Sequence, residues 1–193
     1  MYLYKGAGPG THWWATDAQT AGGFVVGHAP RNVNAIIRHI VNYSWPSPYS
    51  SFSASFAAAA AYALGGPRGK ATPAEPGWVY EIDLAVAIEL GARFVDPARE
   101  ILCQNPEVGA PGTIPTFHDG GQDLILGIAD PVTHRKVLRS PPRQPGPPGH
   151  PYGPKPPIIH NELRAVIFAL RDAEVLATTD LPAACITAKY AID

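Results

Sequence analysis

Asp172 and Glu174 stand two residues apart at the start of a short apolar run, Val175-Leu176-Ala177, which stops at Thr178-Thr179-Asp180-Leu181-Pro182. In extended backbone, residues i and i+2 share a face, so both carboxylates would project one way and Ala173 and Val175 the other. An acid at the mouth of a strand fixes negative charge in a cleft; the plainer reading is a solvated edge strand with its acids in water. Near the other end of the chain, Lys5 closes the β-prone run Tyr2-Leu3-Tyr4 and abuts Gly6-Ala7-Gly8-Pro9-Gly10. It is either an exposed strand-end lysine or a cation facing an anionic ligand beside that loop. A third group is Tyr49-Ser50-Ser51-Phe52-Ser53-Ala54-Ser55, where small hydroxyls alternate along a β-like pattern. A hydroxyl donates to a carboxylate while accepting from a neighbour, which suits it to orienting an acid.

Other chemistries find less support. The seven histidines show no metal-ligand spacing, and His118-Asp119 beside Gly120-Gly121 reads as a turn. No Ser-His-Asp arrangement stands out, and Cys103 has no evident base partner in sequence. The glycine-rich stretches match neither a phosphate loop nor a dinucleotide fingerprint.

The elements that must position these groups follow from periodicity. Apolar residues at Val33, Ile36, Ile37, Ile40 and Val41, three and four apart, predict a helix starting at Pro30, with Arg31, Asn34, Arg38 and His39 on its solvated side. Ser44-Trp45-Pro46-Ser47-Pro48 ends it. Phe56 to Leu64 reads as an alanine-rich helix capped by Ser55 and stopped by Gly65-Gly66-Pro67. Trp78 to Leu84 alternates as a strand, Ala85 to Leu90 as a short helix, and Arg93 to Asp96 as a short strand. Gln104 to Pro115 is mostly turn, and Leu124 to Ala129 reads as a buried strand. Ser140 to Pro157 is a Pro/Gly-rich insertion, extended or disordered. His160 to Leu170 fits helix or strand, and Ala184 to Ala188 forms a last strand. Adjacent Trp13 and Trp14 cannot share a strand face, so one covers loop or ligand.

A chain of 193 residues makes one domain with a real core, here residues 1–193. A net charge of -1 gives no global footprint for nucleic acid or an anionic membrane. Cys103 and Cys185 could pair or stay free. No signal peptide and no bilayer-length apolar run are visible, so no membrane partner is expected and the compartment is open.

In order and spacing these segments resemble the mono-ADP-ribosyltransferase family, the toxin-like branch with an arginine, serine and glutamate signature. Leu3-Tyr4-Lys5-Gly6 stands where the family carries Tyr/Leu-Arg-Gly, with lysine in place of arginine. Tyr49-Ser50-Ser51-Phe52-Ser53 resembles the aromatic-x-Ser-Thr-Ser strand, Phe52 standing for threonine, and Ala59 and Tyr62-Ala63 fit the helix after it. Val79-Tyr80-Glu81-Ile82 matches the following strand. Asp172-Ala173-Glu174-Val175 resembles (Gln/Glu)-x-Glu, with Leu181-Pro182-Ala183 and Ile186 at the turn and last strand. The resemblance implies an α+β fold, a split β-sandwich of two small sheets with flanking helices and a NAD cleft between them. It implies NAD as substrate without a metal, bound by Tyr4, Lys5, Gly6, Ser51 and Ser53. Glu174 would act on the ribose, oriented by Ser51, and Asp172 would help choose an unidentified acceptor. Tyr62 or Trp78 would stack on nicotinamide. A secreted or delivered toxin or effector with an immunity protein fits that branch. The alternatives are a NAD glycohydrolase of the same fold and a non-catalytic binding module that works through its proline tract.

Overall fold

The alternation of Leu3, Lys5 and Ala7 with Tyr4 and Gly6 gives the first strand two unlike faces, and the rest of the architecture is arranged about them. The computed structural model describes residues 1–42, 47–105, 117–119, 122–124 and 161–193. The proline-rich segment 140–157, nearly all of the expected turn at 104–115 and all but Leu124 of the strand expected at 124–129 lie outside the described residues. The described residues form a mixed α+β fold. In order they are β1 (Tyr2–Ala7), α1 (His12–Ala15), β2 (Gly23–Phe24), α2 (Val33–Asn42), β3 (Ser50–Ser53), α3 (Phe56–Ala63), β4 (Gly65–Gly66), β5 (Gly69–Lys70) and β6 (Gly77–Asp83). There follow α4 (Leu84–Glu89), β7 (Phe94–Val95), α5 (Pro97–Gln104), β8 (Phe117–Asp119), β9 (Gln122–Leu124), α6 (Asn161–Arg171), β10 (Glu174–Ala177), β11 (Leu181–Pro182) and β12 (Ile186–Ile192).

Six strands form one antiparallel sheet in the order β12-β6-β1-β3-β10-β7. Strand β1 runs against β6 over the whole length from Tyr2↔Asp83 to Ala7↔Trp78, and β3 runs against β10 from Glu174↔Ser53 to Ala177↔Ser50. Between β1 and β3 there is a single register pair, Tyr4↔Ser53. The sheet is therefore two three-stranded halves joined at one point, with β2 and β11 pairing separately.

Register fixes what each half shows to each side. Val175 pairs with Phe52 on one face of β3 and β10 and packs with Leu3, Phe24, Tyr80, Ile82, Leu181 and Cys185. The other face carries Ser51, Ser53, Glu174 and Leu176, and is covered by helices: Ile36, Ile37 and Ile40 of α2, Ile101 of α5, and Ala165, Val166 and Ala169 of α6 pack about Leu176. A third cluster seats Ala59 and Ala63 of α3 on Val79. Gly6 is required there by close approach, because a Cβ on it would lie 2.0 Å from the Ala59 carbonyl oxygen.

Several boundaries differ from expectation for local reasons. Helix α2 begins at Val33 because the Asn32 side chain accepts from the Ala35 N–H at 2.9 Å, capping it there. The ambiguous segment after His160 is helix α6. The last strand starts at Ile186 and runs to Ile192 because Ala183–Cys185 first makes a 3-10 turn. Helix α5, absent from the sequence reading, is capped by Asp96 with Pro97 in its first turn. His118 and Asp119 lie on strand β8, antiparallel to β9 and opposite Asp123 and Gln122, and not in a turn. The tryptophans lie in the short helix α1, where Trp13 meets Phe24 edge-on and Trp14 Nε1 donates to the Pro76 carbonyl. Cys103 is exposed and Cys185 buried, both as free thiols.

The Gly6 packing predicts that Gly6→Ala lowers stability by at least about 2 kcal/mol, since helix α3 must move off the sheet. Gly65→Ala, at a position with open space around it, should stay within roughly 0.5 kcal/mol of the parent. Urea denaturation midpoints compare the two.

Candidate active site

Past the Tyr4↔Ser53 bridge the strands diverge, and the side chain of Lys5 crosses the gap. Its Nζ donates to the Ser51 carbonyl oxygen at 2.8 Å and to Ser50 Oγ at 3.2 Å, over the Phe52 ring at 5.0 Å and the Phe24 ring at 5.8 Å. Alternation along β1 places Lys5 with Leu3 and Ala7 on the Phe52 side of the sheet. Glu174 comes from the opposite side. A cavity of about 180 Å³ at the parting line is nevertheless lined by both, with Tyr4, Gly6, Ser51, Ser53, His39, Tyr62, Phe168 and Asp172. A second cavity of about 760 Å³, lined by Thr11, His12, Trp13, Val25, Tyr49 and Ser50, shares Lys5, His39 and Ser51 with the first. The larger lies within the roughly 300–1,000 Å³ of small-molecule sites, and Lys5 stands at the waist between them.

The charges are shaped by where they sit. Burial pushes the Glu174 carboxyl up to about 7; the Ser51 hydroxyl pulls it down, Asp172 raises it, and Lys5 and Arg171 lower it. Burial lowers Lys5 to about 8, partly offset by Glu174. Burial and then the Lys5 charge bring His39 down to about 4, so its imidazole is neutral near pH 7. His39 Nε2 lies 2.7 Å from Ser51 Oγ, and its Nδ1 lies 2.6 Å from Ser47 Oγ. His39 thus turns into the site, where the sequence placed it in solvent.

The acidic pair also differs from expectation. Asp172 and Glu174 do not share a strand: Asp172 directly follows helix α6, Ala173 takes the left-handed conformation (φ 46°), and β10 begins at Glu174. Among the described residues Ala173 is the one non-glycine with positive φ, a C-terminal turn that lets helix and strand each present an acid to one cavity. Strand β10 is no edge, since β3 and β7 flank it. Asp172 is 7% exposed and is held by Arg171, whose Nε donates to Oδ1 at 2.6 Å and whose Nη2 donates to Oδ2. The Tyr62 hydroxyl donates to the same Oδ2, and Arg171 Nη2 also donates to the Tyr62 oxygen at 3.1 Å. Ser53 Oγ donates to the Asp172 carbonyl at 2.6 Å and accepts from the Ser55 N–H, pinning the turn to β3.

Each expected site residue is accordingly on or beside the first cavity: Glu174, Asp172, Ser51, Lys5, Tyr4, Gly6 and Ser53. Tyr62 lines it as well. Trp78 lies elsewhere, under the Lys189 ammonium at 4.2 Å on the β6–β12 side. His39, Ser47 and Arg171 were not singled out from the sequence. Arg171 sits next to Asp172 in the very motif and was legible as its partner; for His39 the one signal is its place between Ile36 and Ile40 on an amphipathic helix. Among the described residues no group of His, Cys, Asp and Glu could hold a metal ion. No family model, curated protein or solved structure matches the chain.

An acid whose folded pKa lies above its unfolded value costs stability as pH rises through the window between them, because the unfolded state releases the proton first. For Glu174 that window runs from the ordinary carboxyl value of 4.5 to about 7. Glu174→Gln is therefore predicted to gain stability relative to the parent between pH 5 and pH 7 and to hold a constant advantage just above, read from denaturation midpoints across that range.

Proposed function

We propose that this chain cleaves NAD at the nicotinamide–ribose bond and passes ADP-ribose to an acceptor, as a mono-ADP-ribosyltransferase does. The reading rests on one observation: a half-buried carboxylate, Glu174, and a half-buried cation, Lys5, line the same cavity, while among the described residues the one other acid lining it, Asp172, is tied to Arg171 and Tyr62. Hydrolysis of an O-glycoside needs a second carboxyl to protonate the departing oxygen. The nicotinamide of NAD leaves without a proton, since its ring nitrogen is already cationic and becomes neutral as the bond breaks. One carboxylate is enough for that reaction.

The step balances simply. The C1′–N bond breaks with its electron pair going to nicotinamide, and the ribose carbon becomes cationic. A nucleophile then bonds to that carbon and loses its proton. Glu174 opposes the charge as it develops and so stabilises the transition state more than bound NAD. Ser51 orients Glu174. Lys5, a point charge at the waist between two cavities, suits the diphosphate or the ribose hydroxyls. Tyr62, beside Asp172, offers its ring to nicotinamide. Ser53 holds the turn that carries Glu174.

Water as the acceptor is the second reading, favoured by the burial of Asp172. The carboxylate expected to choose an acceptor is engaged inside the protein and presents nothing to an incoming macromolecule. Chromatography of NAD incubations separates the two outcomes, free ADP-ribose marking hydrolysis and label retained on macromolecule marking transfer.

Glu174→Gln should lower nicotinamide release by at least about a hundredfold, and Lys5→Ala should act mainly by raising KM. The parent's kcat/KM should rise through pH 7 as Glu174 ionises and fall above pH 8 as Lys5 loses its proton. Undiminished release from Glu174→Gln would refute the assignment.

A further inference from the structure

We propose that His39, held by Ser47 with its proton on Nε2, is a positioning residue that aims the Ser51 hydroxyl at Glu174. The inference rests on the site reading above and follows from an account of donors and acceptors. The Tyr49 N–H donates to Ser47 Oγ at 3.2 Å, so the Ser47 hydroxyl proton is available for His39 Nδ1, 2.6 Å away. A neutral imidazole that accepts at Nδ1 carries its proton on Nε2. That proton meets Ser51 Oγ at 2.7 Å. The Ser51 oxygen is then an acceptor, and its own proton goes to Glu174, which shares that face of β3 and β10 and lines the same cavity.

The opposite sense fails at both ends. If Ser51 donated to His39, its lone pairs would face the Glu174 carboxylate. Nδ1–H would then donate to Ser47, and among the described residues no other acceptor takes the Ser47 hydroxyl. An ionised Glu174 therefore selects one direction for the whole chain, Tyr49 N–H to Ser47 to His39 to Ser51 to Glu174. Such chains polarise cooperatively. His39 keeps its place because Ile36, Ile37 and Ile40 of the same helix are buried against α6, and Tyr49 meets its ring edge-on at 5.9 Å.

Three variants test this. His39→Ala removes the chain, His39→Gln restores a nitrogen donor at the Nε2 position, and Ser47→Ala leaves the ring but removes its anchor. The Glu174 carboxyl is followed by carbon NMR through pH 4 to 9, a readout that needs no turnover. Lys5 from β1, and Arg171 and Asp172 at the end of α6, bear on the same carboxyl, Tyr62 from α3 lines the same cavity, and all are unchanged in each variant. In His39→Ala the Glu174 midpoint should rise by roughly half a unit to one unit, and kcat for NAD cleavage should fall about tenfold with KM nearly unchanged. His39→Gln should recover both, and Ser47→Ala should shift the midpoint the same way by less. Nitrogen NMR of the parent should show the proton on Nε2. A proton on Nδ1, an unmoved Glu174 midpoint in His39→Ala, or a His39→Gln variant that behaves like His39→Ala would each overturn the proposal. Absence of NAD cleavage in the parent would strike the site reading alone, because the NMR titrations still decide the role of His39.

Discussion

The single bridge between Tyr4 and Ser53 is the constraint on which the structure turns. Were β1 and β3 paired along their whole length, Lys5 and Glu174 would stay on opposite faces of a continuous sheet. Because the strands part after one pair, the Lys5 ammonium crosses the opening to the Ser51 carbonyl and helps line the cavity in which Glu174 sits. The helices maintain the gap. Gly6 lets α3 lie close over β1, while α2 and α6 cover the polar face of β3 and β10.

That arrangement puts charge where charge is costly. Burial raises the Glu174 carboxyl and lowers the Lys5 amine toward each other, so both sit near the middle of the pH range in place of its ends. Ala173 adds a left-handed backbone without glycine. These local costs are borne by the apolar packing on either side, Phe24, Phe52 and Tyr80 on one face and Ile101, Val166 and Leu176 on the other. Such concentration of unfavourable terms in one cavity is the pattern expected of a functional site.

Much of this was legible in the sequence. Clean alternation gave the strand observed as Gly77–Asp83, and the three-four spacing of isoleucines gave the helix observed as Val33–Asn42. The grouping of Lys5, Ser51 and Glu174 came from a resemblance in motif order, and the structure gathers all three at one cavity. What stayed hidden depended on contacts distant in sequence. Periodicity assigns His39 to the flank of a helix but cannot say that β3 lies alongside. Extended geometry was assumed through Asp172-Ala173-Glu174, and the end of an adjoining helix overrode it. Asp96-Pro97 carries a helix-start signal, but a reading that assigns Asp96 to the short strand Arg93 to Asp96 takes away the cap that starts α5.

The chemistry proposed for this cavity depends on a ribose carbon turning cationic beside Glu174. Proton NMR of NAD mixed with the parent protein follows that bond directly, through the anomeric proton of the nicotinamide riboside and the ring protons of free nicotinamide. The account predicts that the anomeric signal decays as free nicotinamide appears in equal amount. A folded protein that leaves both signals of intact NAD unchanged, with and without added acceptor extract, would contradict it.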